Sequence, residues 1–201
     1  MLTGIVEIVP GVSLLKGRLS SHETTQMLQA EGLAESDLIP GKYEGILLLK
    51  AGAEVHFQDY NQEVLRALTA PNVAANTAAS GQHAEGCTLR RPRYFAGDWT
   101  GLPCLLEKEG LLATYDVILS AETVYNLDSQ RHLLKCIKQG LRPKVGQAWI
   151  AAKSYYFGVG GGTASFIQLV DRDGTFEVKA VDVIDDGASN KREILLLSFK
   201  A

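Results

Sequence analysis

Polar and acidic residues follow three apolar, strand-like runs of this chain. The three strings are His56–Asn61, Phe95–Trp99 and Ser120–Asn126. In an open α/β sheet, ligands bind outside the carboxyl ends of the strands, so side chains from several strand ends converge although they lie far apart in sequence. We therefore expect Asp59 and Asp98 to lie at the same edge of a sheet.

The two acids suit two parts of a nucleoside. A carboxylate such as Asp59 can accept hydrogen bonds from ribose hydroxyls, and Asp98 can accept one from an exocyclic amine beside the aromatic face of Trp99. Each residue also has a purely structural interpretation. Asp59 could cap a helix that begins near Gln62, and Asp98-Trp99 could be a strand-terminating turn with a half-buried tryptophan.

The composition limits the class of protein. The 201 residues are 46% hydrophobic and 21% charged, which fits one globular domain with a sizeable core. The net charge of −3 gives no overall attraction to nucleic acid or to an anionic membrane, and the short basic cluster at 90–93 is interpreted as a solvated loop. No run approaches the roughly 18 to 20 apolar residues of a membrane span, and no basic n-region precedes an apolar stretch at the start. We expect a soluble protein that is not secreted.

The cysteines and histidines show no pattern of a metal site. The three cysteines lie far apart without a C-x-x-C pair, and the four histidines have no ligand spacing. The sequence therefore predicts no disulfide framework and no metal site, and it suits a reducing compartment. The histidines are expected at the surface or at the boundary of the core.

Strand-like runs alternate with helical ones, which predicts an α/β sheet that is mostly parallel with an antiparallel edge. Residues 1–40 are expected to form an irregular arm, with a small hairpin and a helix at 23–31, before a domain at 41–201. Gly52 fits the position just after a helix, and Pro71 is expected to end another. The predicted elements are helices at 46–51, 62–68 and 129–140, a loop at 74–86, and strands at 54–58, 93–96, 115–119, 146–153, 176–183 and 193–199, of which the last two form an antiparallel hairpin.

A series of strings along the chain points to a family. They lie at 36–45, 56–61, 71–73, 95–99, 120–126 and 153–162, and the most specific of them is Tyr156-Phe157-Gly158-Val159-Gly160-Gly161-Gly162. Over residues 36–199 the chain resembles the protein-histidine methyltransferase family. The resemblance implies a Rossmann-like, seven-strand methyltransferase sheet and an enzyme that uses S-adenosylmethionine to methylate a histidine of a large-subunit ribosomal protein.

The resemblance also implies roles for individual residues. The implied cofactor-binding residues are Gln58, Asp59, Tyr60 and Asn61 around the ribose, Gly97, Asp98 and Trp99 around the adenine, and Ser120 near the methionine portion. The implied acceptor channel contains Glu122 and Tyr125 as catalytic residues, with Asn126, Tyr156, Phe157, Gly158 and Gly160 as substrate-binding residues. Glu122 could hydrogen-bond one imidazole nitrogen and so fix the tautomer, or it could simply cap the following helix. The glycines would let a bound peptide approach the backbone closely, or they would form a flexible connector.

The chain departs from the family pattern after Tyr43-Glu44-Gly45. In the family, this string precedes a helix, the first and central strand, and a glycine-rich cofactor loop, whereas here it runs directly into 46–53. The sheet is therefore expected to be internally deleted. In the family order 3-2-1-4-5-7-6, loss of the central strand would leave its neighbours about 10 Å apart with unpaired backbone groups, unless they close up. We predict weak or absent cofactor binding.

Two other functions stay open beside histidine methylation. One is a non-catalytic binding module that engages the same ribosomal protein, and the other is methylation of lysine or another side chain by a related scaffold. The resemblance implies a monomer of the cytoplasm and nucleus, with no direct nucleic-acid partner and no membrane partner.

Overall fold

The computed structural model describes residues 12–16, 43–50, 52–78, 91–184 and 191–201. These residues form one seven-stranded sheet with helices on both faces. The strands are β1 (Val12–Lys16), β2 (Glu54–Asp59), β3 (Arg93–Ala96), β4 (Val117–Ala121), β5 (Gln147–Lys153), β6 (Phe176–Ile184) and β7 (Arg192–Phe199). The helices are α1 (Tyr43–Lys50), α2 (Gln62–Val64), a π-helical segment (Leu65–Thr69), α3 (Ala70–Ala78), α4 (Leu102–Lys108), α5 (Leu127–Gly140) and α6 (Thr163–Asp173).

The strand order is β3-β2-β1-β4-β5-β7-β6. The predicted α/β class and the C-terminal antiparallel hairpin, β6 with β7, are confirmed. The expectation of a mostly parallel sheet is wrong. Among the described strands, only β2 with β3 and β4 with β5 pair in parallel, whereas β1 is antiparallel to both its neighbours and β7 is antiparallel to β5 and β6.

β1 occupies the central position of the sheet, between β2 and β4. Val12 lies opposite Gln58 and Ser120, and Lys16 lies opposite Glu54, so β1 starts at the edge where its neighbours end. The prediction that these neighbours would stand apart or close up is wrong, because a segment assigned to the N-terminal arm supplies their backbone partners. The boundary between arm and domain, at residues 40 and 41, lies outside the described residues.

The central strands separate two apolar clusters, because successive side chains of a strand point to opposite faces. Ile118 of β4 packs with the cluster under α4, α5 and α6, and Leu119 packs with the cluster under α1 and α3. All five residues of β4 are buried. Strands buried on both faces hold the residues at their carboxyl ends in fixed positions.

α1 ends as predicted, at Gly52. The N–H of Gly52 donates to Leu49 and that of Ala53 donates to Leu48, which is the bond pattern of a Schellman motif. Gly52 has φ +87°, a left-handed conformation that favours glycine.

Pro71 does not end the helix that begins at Gln62, so that prediction is wrong. The helical segments α2, π and α3 follow one another without a break from 62 to 78. Pro71 lacks an N–H, and the π-helical turn directly before it shifts the hydrogen bonding by one residue, with Ala70 N–H donating to Leu65. The predicted loop at 74–86 is helical as far as 78, and its remainder lies outside the described residues, as do the helix expected at 23–31 and the hairpin turn at 185–190.

His56 is a core residue rather than the surface or boundary residue that was expected. It is wholly buried on β2, its Nδ1 lies 2.9 Å from the Tyr115 hydroxyl, and its Nε2 lies 3.2 Å from Glu54. The ring also packs edge-on against Phe95. This histidine joins β2 and β3 to the segment that leads into β4.

Candidate functional site

The strand ends carrying the three polar strings lie at one edge of the sheet. β2, β3, β4 and β5 run in the same direction, since β1 is antiparallel to both β2 and β4. Two clefts open along this edge. The first, called the acidic cleft here, encloses about 500 Å³ and is lined by Asp59, Tyr60, Asn61, Gly97, Asp98, Trp99, Tyr125, Asn126, Asp128, Ser129 and His132.

Asp59 forms the floor of the acidic cleft at the end of β2. Only 3% of the residue is exposed, and its Oδ1 accepts the Asn61 N–H at 2.8 Å. Its carbonyl oxygen accepts the Gly97 N–H at 2.9 Å, which joins the end of β2 to the end of β3. The alternative that Asp59 caps the next helix is wrong, because the N-cap position belongs to Asn61.

Gly97 and Asp98 form the rim of the acidic cleft after β3. Gly97 has φ +135°, and a Cβ built there would meet no atom within 4 Å, so the backbone lies open to the cleft. Asp98 accepts the Thr100 N–H, and hydrogen bonds from Thr100, with a smaller effect of His132, hold the pKa of Asp98 below its ordinary value. The Asp98 carboxylate is therefore a permanent acceptor at neutral pH.

The N-terminus of α5 forms the opposite wall. Asn126 is its N-cap, with Oδ1 accepting the N–H groups of Asp128 at 2.9 Å and Ser129 at 3.1 Å. Three residues of this wall, Asp128, Ser129 and His132, were not predicted. The expected helix began at 129, and recognising Asn126 as a cap would have moved the start to 127 and placed Ser129 and His132 one turn apart on one face.

The second cleft, called the aromatic cleft here, adjoins the first at Tyr125. It encloses about 560 Å³ and is lined by Glu122, Tyr125, Lys153, Tyr155, Tyr156, Phe157 and Val159. Glu122 supplies the carboxylate of the aromatic cleft, and its Oε2 accepts a hydrogen bond from the Tyr156 hydroxyl at 2.6 Å. The predicted alternative for Glu122, capping of α5, is wrong because Asn126 is the cap.

The loop after β5 lies directly on the segment after β4. Gly161 N–H donates to Tyr125 at 3.1 Å, Gly162 N–H donates to Val124 at 2.9 Å, and Gly160 forms an isolated bridge with Asn126. A Cβ on Gly161 would stand 2.2 Å from the Tyr125 carbonyl oxygen. The close approach that Gly161 permits is therefore to the chain's own backbone.

Curated proteins of several organisms are similar to this chain. The histidine protein methyltransferase 1 homolog of Dictyostelium discoideum is 38% identical over 156 residues, which are 78% of this chain and 46% of that protein. The Bos taurus homolog is 38% identical over 172 residues, covering 78% of this chain and 45% of its own length. The chain is a relative of protein-histidine methyltransferases. The resemblance predicted from the strings is thereby confirmed, and the chain spans less than half the length of these relatives.

The fold has a solved counterpart as well. The CMeT domain of a citrinin polyketide synthase superposes with a TM-score of 0.52 and 13% identity, covering 79% of this chain and 43% of that one. The predicted Rossmann-like methyltransferase fold is confirmed by this likeness. The chain matches no protein-family model.

Most of the predicted site residues line one of the two clefts. Gln58 and Ser120 line neither of them. Ser120 is buried, and its hydroxyl lies 2.5 Å from that of Thr123. Of the predicted substrate-binding glycines, Gly158 is exposed, and Gly160 is half-buried, where an added Cβ would lie 3.8 Å from the Leu127 side chain.

Gln58 lies behind the acidic cleft and supports it. Its Nε2 donates to the Gly97 carbonyl, and its Oε1 accepts the Trp99 indole N–H at 3.0 Å. The side chain is 1% exposed. One buried amide therefore fixes both the glycine and the tryptophan of the rim.

Replacing Gln58 with methionine should test this support. The variant leaves the Gly97 carbonyl and the Trp99 N–H without their partner, so we expect the free energy of unfolding to fall by about 1–3 kcal/mol. Urea denaturation followed by tryptophan fluorescence measures it. Tyr60→Phe, on a side chain that is 70% exposed, is the control and should unfold as the parent does. Equal midpoints for the two variants would show that the amide is not needed.

Among the described residues, no group of three or more His, Cys, Asp or Glu side chains is placed to hold a metal ion. In the same part of the chain, no helix has the length and apolar character required to cross a membrane.

Proposed function

We propose that this chain carries the nucleoside-binding edge and the acceptor cleft of an S-adenosylmethionine-dependent protein-histidine N-methyltransferase, and that it binds the cofactor weakly. The observation that carries the proposal is the meeting of the acidic and aromatic clefts at Tyr125. A ligand in the first cleft and a side chain in the second would be neighbours. Such adjacency is what transfer of a group between two bound partners requires.

The acidic cleft suits the adenosine part of the cofactor. Asp59 offers a carboxylate to ribose hydroxyls, and Asp98 and Trp99 offer an acceptor and an aromatic face to a base. The methionine portion of the cofactor has fewer candidate contacts, because Ser120 lines neither cleft. β1 ends with Lys16 at the opposite edge, because it runs antiparallel to β2 and β4. The carboxyl end of β1, where a parallel strand would present its loop, therefore does not lie beside the clefts.

Methyl transfer to an imidazole depends mainly on alignment and exclusion of water. S-adenosylmethionine, when bound, would supply a methyl group on a cationic sulfur. Glu122 would accept the N–H of one imidazole nitrogen, which leaves the lone pair of the other nitrogen available and directed. The walls formed by Tyr125, Tyr155 and Phe157 would cover the ring. In this proposal the substrate is a large-subunit ribosomal protein, and the chain acts as a monomer in the cytoplasm and nucleus without a nucleic-acid or membrane partner.

Calorimetric titration with S-adenosylmethionine and with adenosine tests the proposed nucleoside edge. We expect both ligands to bind with dissociation constants on the order of 0.1–1 mM and to differ by only a few fold, since the adenosine contacts carry the binding. Asp59→Asn should weaken both by about tenfold, because an amide has one acceptor oxygen while still accepting the Asn61 N–H.

Asp171→Asn, an exposed change on α6 away from both clefts, is the control. Micromolar affinity for S-adenosylmethionine would overturn the proposal of weak binding. Unchanged affinity in Asp59→Asn would overturn the assignment of the ribose site. Methyl incorporation into large-subunit ribosomal proteins, followed by analysis of the modified side chain, tests the reaction and separates histidine from lysine products.

A non-catalytic binding module is the second candidate. It is favoured by the aromatic cleft, which offers a carboxylate between aromatic walls to a side chain of a partner protein whether or not a cofactor is bound. Capture of the ribosomal protein without methyl incorporation would favour this function, and incorporation would exclude it.

A further inference from the structure

Glu122 is held from two sides in the aromatic cleft. Its backbone N–H donates to Ala151 of β5 at 2.8 Å, and its backbone adopts φ +56°, a left-handed conformation that non-glycine residues rarely take. Its side chain is fixed by the Tyr156 hydroxyl at 2.6 Å. A strained backbone that is over-determined in this way is typical of residues whose orientation matters to a ligand.

Tyr156 is the donor of this pair. Its hydroxyl accepts the backbone N–H of Lys153 at 3.2 Å and donates to Glu122 Oε2. Burial and the hydrogen bond to Glu122 raise the pKa of Tyr156 above its ordinary value, so the hydroxyl keeps its proton. Among the described residues, Glu122 Oε1 has no hydrogen-bond partner, so Tyr156 occupies one oxygen of the carboxylate and the other is available.

The glycines of the loop place Tyr156 against Glu122. Tyr156 N–H donates to the Gly161 carbonyl at 3.0 Å, and Gly161 N–H donates to Tyr125 at 3.1 Å. Because Gly161 can approach the backbone after β4 so closely, the loop turns back over Glu122. The Tyr156 ring then forms one wall of the cleft, with Tyr125 edge-on at 6.3 Å between centroids.

The charges of the cleft favour a neutral ligand. Lys153 lines the same cleft as Glu122, and its Nζ lies 5.8 Å from the centre of the Tyr156 ring. An ammonium ligand would meet this positive charge, whereas a neutral ring that donates one N–H would meet the available oxygen of Glu122 between aromatic walls.

We propose that Tyr156 is a positioning residue that reserves one oxygen of Glu122 and so makes the aromatic cleft selective for a neutral, planar heterocycle with one N–H donor, the class to which imidazole belongs. This inference rests on the proposed function for the location of the acceptor. It adds that Tyr156, through Glu122, selects the tautomer of the acceptor and the N–H group by which the acceptor binds.

Titration of ¹⁵N-labelled protein with 4-methylimidazole and with 1-methylimidazole tests the selectivity without any methyl transfer. The titrations are made at pH 9, above the ordinary imidazole pKa of about 6.5, so that both ligands are neutral. Only the first has an N–H. We expect chemical-shift changes at Tyr125 and Phe157, with the first ligand binding about fivefold or more tightly than the second.

Tyr156→Phe should reduce this ratio to less than about twofold, because Glu122 is no longer held with one oxygen occupied. Asp171→Asn, an exposed change on α6 away from both clefts, is the control and should keep the parent ratio. Glu122→Gln is the second variant and should abolish the preference, and a thermal unfolding curve for each variant establishes that it is folded.

The inference is overturned if the parent protein does not discriminate between the two ligands, if Tyr156→Phe keeps the parent ratio, or if protonated n-butylamine binds more tightly than 4-methylimidazole. These outcomes are independent of catalysis. A protein that shows the expected ratios and transfers no methyl group contradicts the proposed reaction and leaves the selectivity intact.

Discussion

Replacing Gly161 with alanine is expected to lower the free energy of unfolding by about 3 kcal/mol or more and to separate Tyr156 from Glu122. The added Cβ would stand 2.2 Å from the Tyr125 carbonyl oxygen and 2.5 Å from that of Val124. Both are backbone atoms, so no side chain can rotate away to make room. The loop must lift from the segment after β4, and its hydrogen bonds to that segment are lost with it.

Gly158→Ala is the matched control in the same loop. Gly158 has φ +81°, and a Cβ there would meet no atom within 4 Å, so alanine adds only the cost of a left-handed conformation, about 1–2 kcal/mol. Urea denaturation measures both variants, and the 4-methylimidazole titration measures the cleft. If the two alanine variants have the same stability and the same ligand ratio, the close approach at Gly161 does not hold the loop.

A proline at Leu14 is expected to have the second large effect, the loss of cooperative folding. Leu14 is the middle residue of β1 and lies opposite His56 on β2 and Ile118 on β4. A central strand needs its backbone N–H groups, and proline has none and fits only at sheet edges or bulges. We expect the free energy of unfolding to fall by more than about 3 kcal/mol, because the ladders on both sides of β1 are interrupted.

Leu14→Val is the matched variant, since it keeps the backbone N–H and is compatible with a strand. Thermal unfolding with circular dichroism is the measurement, and the valine variant should retain a sharp transition that the proline variant lacks. A proline variant as stable as the valine variant would show that 12–16 is not the central strand. The backbone N–H and C=O groups of β2 and β4 would then need other hydrogen-bond partners.

The position of β1 also explains how the sheet satisfies the backbone groups of β2 and β4. A slot between β2 and β4 has unsatisfied N–H and C=O groups on both sides, and any extended segment that reaches it can pair. The direction of the pairing strand is not fixed by this requirement. An antiparallel strand restores the sheet, but its own carboxyl end lies at the edge away from the ligand clefts.

The sequence by itself determined the features that depend on local patterns. Apolar runs predicted the strands at 54–58 and 93–96, Gly52 predicted the end of α1, and the polar strings after the strands predicted one shared edge. The tertiary structure alone decided the rest. It placed 12–16 in the centre of the sheet, turned Gln58 away from the cleft as a support, and brought Tyr156 to Glu122 across 34 residues. The reason is physical: hydrogen bonds within a turn or cap involve neighbours whose spacing is visible in the sequence, whereas pairing between distant segments depends on which partner the whole chain brings within reach.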